Sequence, residues 1–474
     1  MTKEPGFVLL SILLGGIAAG CSGSVGSTPA PGPSVPPAGT ISHIVILVQE
    51  NRSFDNLFAG FPGANTTLQG LCKPAPWCKG SHIVTLHSVK LESTGIKNRG
   101  KDICHSHGCF ETECNPNTAN VCRMDGFDLI SFGEGSGGSA AGLYPYAYVD
   151  RSETKPYWDL ARQYTLADEM FFTETASSFI AHQMLISGTV RLNDHESLTD
   201  QPFAGPPWGC DSPPGDLVPI LHKNGRETHQ GKVRPCFDWA TIADLLDAKG
   251  VSWLDYVDNG VPPTPFDFSG GVWNGFRAIR KIYHGPDWTT NISSPNTNVF
   301  ADVKGGTLPS VSWVIPTLFD SDHPAGGCNG GPWWVTNVVN AIGTSQYWKN
   351  TAIILLWDDW GGWYDNVPPA QINYTSLGFR VPMIVISPYA RPHYVSHSHY
   401  DFGSILKFME QIFDLGSLGT TDATAPSMDD AFNFTQTPLS FEPAALPKAL
   451  ECKNEVTNHK EMERLIERDG GVPE

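Results

Sequence analysis

Two short apolar runs, each ending in acidic or amide residues, constrain this chain more than any other feature. Ile44–Val48 is apolar throughout, β-branched at all but Leu47, and bounded by polar residues. That is too short for a helix and suits a strand buried on both faces. The chain then presents Glu50, Asn51 and Arg52. Thr351–Trp357 repeats the pattern and ends in Asp358 and Asp359. Adjacent carboxylates repel, so a buried strand that leaves on such a pair needs a cation or several donors. In a parallel α/β sheet, ligands bind at the carboxyl ends of the strands. Laid in one sheet, the two runs would bring Glu50, Asn51, Asp358 and Asp359 to one edge. Four oxygen-rich donors suit a single hard divalent cation better than a zinc pair. Taken alone, either run reads more plainly as a strand followed by a solvated turn.

The remaining pattern alternates helix and strand. Tyr157–Tyr164 predicts a helix, Leu166–Phe172 an extended segment, and Ser177 or Ser178 the start of a helix ending at Ser187-Gly188. Ile242, Leu245 and Leu246 stand at helical spacing before Gly250; Val251–Val257 and Leu308–Pro316 read as strands. Trp334–Ile342 predicts a helix, Val381–Ser387 a strand, and Asp401 caps a helix to about Leu415. This order predicts a three-layer α/β/α sandwich around a mostly parallel sheet. Because motifs near both ends must meet in one site, residues 41–446 read as one domain with long loop insertions. Residues 447–474 read as a polar tail carrying a charged helix, Glu455–Arg468.

Residues 1–21 read as an export signal: an apolar run at Phe7–Leu14, small residues to Gly20, then Cys21. Ala18-Ala-Gly-Cys21 resembles a lipobox, which implies an N-terminal lipid anchor. Residues 22–40, rich in Ser, Gly and Pro, form the tether. Eleven cysteines leave ten once Cys21 is set aside, an even number fit for disulfides. Cys72 and Cys78 are close enough to pair, as are Cys104, Cys109, Cys114 and Cys122 among themselves, stapling a loop-rich insertion over Phe61–Gly142. A zinc site at Cys104-His-Ser-His107 with Cys109 and Cys114 is the rival reading. Cys210, Cys236, Cys328 and Cys452 are scattered. A net charge of −18 argues against nucleic acid as a partner.

Several ordered motifs resemble the bacterial phosphoesterase family, which includes phospholipases C and acid phosphatase A and has an alkaline-phosphatase-like core. They are Gln49-Glu-Asn-Arg-Ser-Phe-Asp55, Trp208-Gly-Cys-Asp211, Leu308–Pro316, Ser321-Asp-His-Pro324, Trp357-Asp-Asp-Trp-Gly-Gly-Trp-Tyr-Asp365 and Arg380–Pro388. The resemblance implies a divalent metal held by Glu50, Asn51, Asp358, Asp359 and Ser178. It places the nucleophile on Ser178, with Ser177 the alternative, and brings His323 and His105 to the phosphate. His182, one helical turn after Ser178, reads as a packing residue. Asn366 stands where the family often has a histidine.

The implied reaction is phosphoserine-mediated hydrolysis of a phosphate ester, phospholipase C-like cleavage of a phospholipid or related diester ahead of a broad acid phosphatase. A lipid-anchored, non-catalytic binding protein would have lost residues from this set, and none is lost. Sulfatase-like chemistry would need a Cys/Ser-x-Pro-x-Arg context that Ser178-Phe-Ile-Ala-His182 lacks.

Overall fold

The two apolar runs fold as neighbours at the centre of one sheet. The computed structural model describes residues 39–447 apart from 75, 92–101, 134–137, 203–206, 259–267, 325–329 and 371–376. The export signal with Cys21, most of the tether, Cys328, Cys452 and the Glu455–Arg468 helix lie outside the described residues.

The sheet is built from β1 (His43–Gln49), β2 (Thr165–Ala167), β3 (Trp253–Tyr256), β4 (Ile292–Ser293), β5 (Val311–Val314), β6 (Thr351–Trp357), β7 (Met383–Ile386) and β8 (Tyr394–Ser396). Their order across it is β4-β3-β5-β1-β6-β7-β2-β8. All pairings are parallel except those of β7, which runs against both β6 and β2. β1 and β6 run in step from His43 opposite Thr351 to Gln49 opposite Trp357. Glu50 and Asp358 therefore leave the sheet side by side.

Every residue of β6 and all but the first of β1 are buried, so both faces of the sheet are covered. Two groups of helices cover them. Ser178–Ser187 packs on Ile242–Lys249 and Phe402–Phe413, while Gly330–Gly343 packs on Lys155–Gln163 and Asn298–Gly305. The mostly parallel α/β sandwich expected from the sequence is the fold observed. Asp401 and Ser404 form the capping box of Phe402–Phe413. An antiparallel four-stranded sheet, Arg191–Asn193 to Glu227–Val233, stands apart from the main one.

The insertion is stapled as the cysteine spacing suggests, by Cys72–Cys78, Cys104–Cys109 and Cys114–Cys122. With these sulfurs bonded to one another, the zinc reading loses its thiolates. Cys210 pairs with Cys236. The insertion is not all loop, because His107–Cys114 is an α-helix.

Candidate active site

Three adjacent strands, β5, β1 and β6, deliver their following residues to one edge. After β1 the chain turns sharply: Asn51 adopts φ +58°, a left-handed conformation that asparagine tolerates better than most residues. Its amide donates to Asp358 Oδ1 at 2.9 Å, locking the two strand ends together. Gly361 and Gly362 also have positive φ. A Cβ on Gly361 would lie 2.3 Å from the Asn51 carbonyl oxygen, and one on Gly362 2.6 Å from Ile103. Only glycine lets the loop after Asp359 pass that closely. Gly361 N–H in turn donates to Asp359 Oδ1 at 2.7 Å.

Glu50, Asn51, Asp358, Asp359, Ser178, His105 and His323 are all buried. Ser178 is the first residue of its helix, with Ser177 as N-cap. Its hydroxyl donates to Asp359 Oδ2 at 3.1 Å and lies 3.5 Å from Asn51 Oδ1. His105 Nδ1–H donates to the Ile103 carbonyl at 2.7 Å, which leaves Nε2 to accept from Asn51 Nδ2 at 2.9 Å. One relay thus joins His105, Asn51, Ser178 and Asp359.

His182 is the group that sequence reasoning set aside. Its Nε2 lies 3.2 Å from Glu50 Oε1 and 3.8 Å from Asp358 Oδ2. Ligand atoms of Glu50, His182 and Asp358 all fall within 4.8 Å of one another, a set able to hold a cation. Its only signal in the sequence is the i,i+4 spacing from Ser178.

The electrostatics of this cluster are unbalanced. Burial, and then the Asp358 charge, pushes the Glu50 carboxyl well up; burial and Asp358 do the same to Asp359. Burial holds His182 down to about 4, against the pull of Asp358, so the imidazole is neutral. Glu50 Oε2 and Asp358 Oδ2 are buried without a hydrogen-bond partner. Three carboxylates, two orphaned oxygens and a neutral imidazole fit a bound cation.

His323 follows β5 on a loop fastened to the other two strand ends. Gln49 Oε1 accepts the Asp322 N–H at 3.0 Å, Trp357 Nε1–H donates to Asp322 Oδ2 at 3.0 Å, and Tyr157 donates to the same oxygen at 2.8 Å. The His323 ring lies 6.4 Å from that of His105 and against Trp273 and Phe268. The insertion is tied to the site twice more. His107 Nδ1 meets Thr175 Oγ1 at 2.8 Å, just before Ser178, and Trp360 Nε1–H donates to the buried Glu113 at 2.7 Å. Neither His105 nor His107 is therefore a surface loop histidine.

Other motif residues serve the scaffold. Arg52 donates twice to the Asp322 carbonyl, at 2.9 and 2.7 Å. Ser53 caps Phe54–Phe58 and donates to the Tyr364 carbonyl. Asp365 is gripped by Arg380 through two bonds of 2.8 and 3.0 Å, both residues fully buried. The exposed His397 and His399 pair with the buried Asp168 and with Glu169.

Known proteins resemble this chain over the same span. Phospholipase C B of Mycobacterium tuberculosis is 28% identical over 87% of this chain and 82% of its own. Non-specific phospholipase C6 of Arabidopsis thaliana is 23% identical over 91% of this chain and 79% of its own. A protein of the alkaline phosphatase superfamily from Vibrio parahaemolyticus, solved as a crystal structure, is similar with a TM-score of 0.36 and 11% identity over 85% of this chain and 75% of that one. The model of the phosphoesterase family matches residues 41–416, which include all three strand ends, His105, His323 and the Ser178 helix with His182. The chain belongs to the phosphoesterase family and is a phosphoester hydrolase.

Proposed function

We propose that this hydrolase cleaves phosphodiesters in the manner of a phospholipase C, through a phosphoserine on Ser178 and with a divalent cation in its acidic cluster. The observation that carries the reading is the buried set Glu50, Asp358 and Asp359, paired with no lysine or arginine among the described residues, with Asp359 accepting from the Ser178 hydroxyl. Phospholipase C relatives in Mycobacterium and Arabidopsis support the diester substrate.

Glu50, Asp358, Asp359 and Asn51 would hold the cation, with His182 Nε2 and Ser178 Oγ within its surroundings. A cation there supplies positive charge to the phosphoryl oxygens and to the nucleophile. Ser178 Oγ attacks phosphorus in line, its proton leaving along the contact with Asp359 Oδ2. The bond from phosphorus to the alcohol oxygen breaks, and His323 delivers the proton that oxygen needs. His105, fixed by Ile103, holds Asn51 for the phosphoryl group. Water then attacks the phosphoserine, releasing the phosphorylated head group and restoring the Ser178 hydroxyl.

Residues 41–446 form the catalytic domain of this reading, with 1–21 the export signal, Cys21 the lipid attachment point, 22–40 the tether and 447–474 the tail. The test is hydrolysis of p-nitrophenylphosphorylcholine and of p-nitrophenyl phosphate by the full chain, with and without chelator, beside Ser178→Ala. Diester turnover that falls about a thousandfold in Ser178→Ala, and is lost with chelator, is the expected result. Turnover of the monoester alone moves the assignment to an acid phosphatase. Undiminished activity in Ser178→Ala shifts the nucleophile to Ser177.

A further inference from the structure

The described surface hides its large apolar side chains with one concentrated exception. Of seven exposed large hydrophobic residues among the described ones, six lie in the insertion: Leu68, Leu71, Trp77, Ile83, Val121 and Leu129. The arrangement is ordered. Gln69–Leu71 pairs antiparallel with Ile83–Thr85, and Leu71 stands directly opposite Ile83, so both project from the same face. Their exposures are 45% and 55%. Gly70, between the two outward positions, turns inward, where a Cβ would come within 2.6 Å of Tyr146 and 3.1 Å of Tyr364. The Tyr146 hydroxyl donates to the Leu71 carbonyl and also reaches Asp128, next to Leu129. Trp77 sits on the loop closed by Cys72–Cys78, 42% exposed.

Charge follows the same boundary. The whole chain has 49 acidic residues against 31 lysines and arginines, yet residues 61–91 contain Lys73, Lys79 and Lys90 and no carboxylate. An apolar hairpin with an indole at its tip and only lysines among its own charged residues complements a layer of phosphate groups above hydrocarbon. The hairpin also rests on the catalytic edge. Leu71 N–H donates to the Tyr364 hydroxyl at 3.2 Å, five residues along from Asp359.

We infer that the 68–85 hairpin is the surface by which this enzyme docks on a phospholipid bilayer, setting the Glu50–Asp358 edge over the lipid head groups. The inference rests on the phospholipase reading for its choice of lipid, and the binding assay below reads it without any catalysis. The full chain, carrying Cys21→Ser in every sample so that no N-terminal lipid contributes, is sedimented with vesicles of phosphatidylcholine containing phosphatidylglycerol, at low and high salt. Two variants are run beside it, Leu71→Asp/Ile83→Asp and Trp77→Ala. Turnover of p-nitrophenylphosphorylcholine, which needs no interface, controls for the fold.

The wild type pellets with the vesicles, more strongly at low salt. Leu71→Asp/Ile83→Asp binds about tenfold or more weakly, and Trp77→Ala several-fold more weakly, each with soluble turnover unchanged. If the double variant is unstable, Trp77→Ala alone carries the comparison. Equal pelleting of wild type and variants, or a wild type that stays in solution, overturns the inference. So does self-association of the wild type that the substitutions abolish without vesicles, which assigns the face to a protein contact. Failure of the phospholipase reading shows separately, as a wild type that pellets but turns over no diester.

Discussion

Single residues in the site divide into those that line the acidic cluster and those that hold others in place. His182 belongs with the first group by distance, since its neutral Nε2 points into the carboxylate cluster. His182→Gln is expected to weaken cation affinity about tenfold to a hundredfold, read by titrating metal into chelated protein, with the fold intact. Arg380 belongs with the second group. It satisfies Asp365 through two bonds and donates to the carbonyls of Asn65 and Asp168. Burial and the Asp365 charge raise Asp55 beside it to about 7. Arg380→Met leaves these carboxyls buried without their cation and should cost about 3–5 kcal/mol in urea denaturation.

Elements explain what the sequence could and could not disclose. β1 and β6 were legible to within a residue or two, because a short apolar run between polar residues has few other uses. Their acidic ends were legible for the same reason. The direction of β7 was not, since a strand buried on both faces reads the same forwards and backwards. Nor was the place of His182: all ten residues of Ser178–Ser187 are buried, so no apolar stripe gives the helix a phase. His107–Cys114 hid because its residues form no apolar face and disulfides flank it. The loop after β6 offers a test at this scale. Gly361→Ala forces a Cβ toward the Asn51 carbonyl, displacing the hinge of the site. A loss of about a hundredfold in kcat/KM is expected, with far less change in thermal stability than Arg380→Met produces.

The molecule as a whole responds to pH through buried groups outside the acidic cluster as well as within it. Glu174 is buried, and burial raises its carboxyl from 4.5 to about 8, with Arg191 opposing weakly. Between those values the folded chain keeps a proton that the unfolded chain has lost. The stability this group confers is therefore complete below about pH 4.5 and is lost as pH rises through about 8. Glu174→Gln should leave the melting temperature unchanged near pH 4 and raise it by about 2–4 °C or more above pH 8, read by calorimetry. A last consequence follows from the bond between Asn51 and Asp358, which spans 307 residues. The chain is made from its N-terminus, so the first half of the acidic edge exists long before the second. A growing chain carries Ser178 and His105 yet stays inert until residue 359 emerges and β6 slots in beside β1. Synthesis itself works as a safety catch, arming the hydrolase only after about three quarters of it has been made.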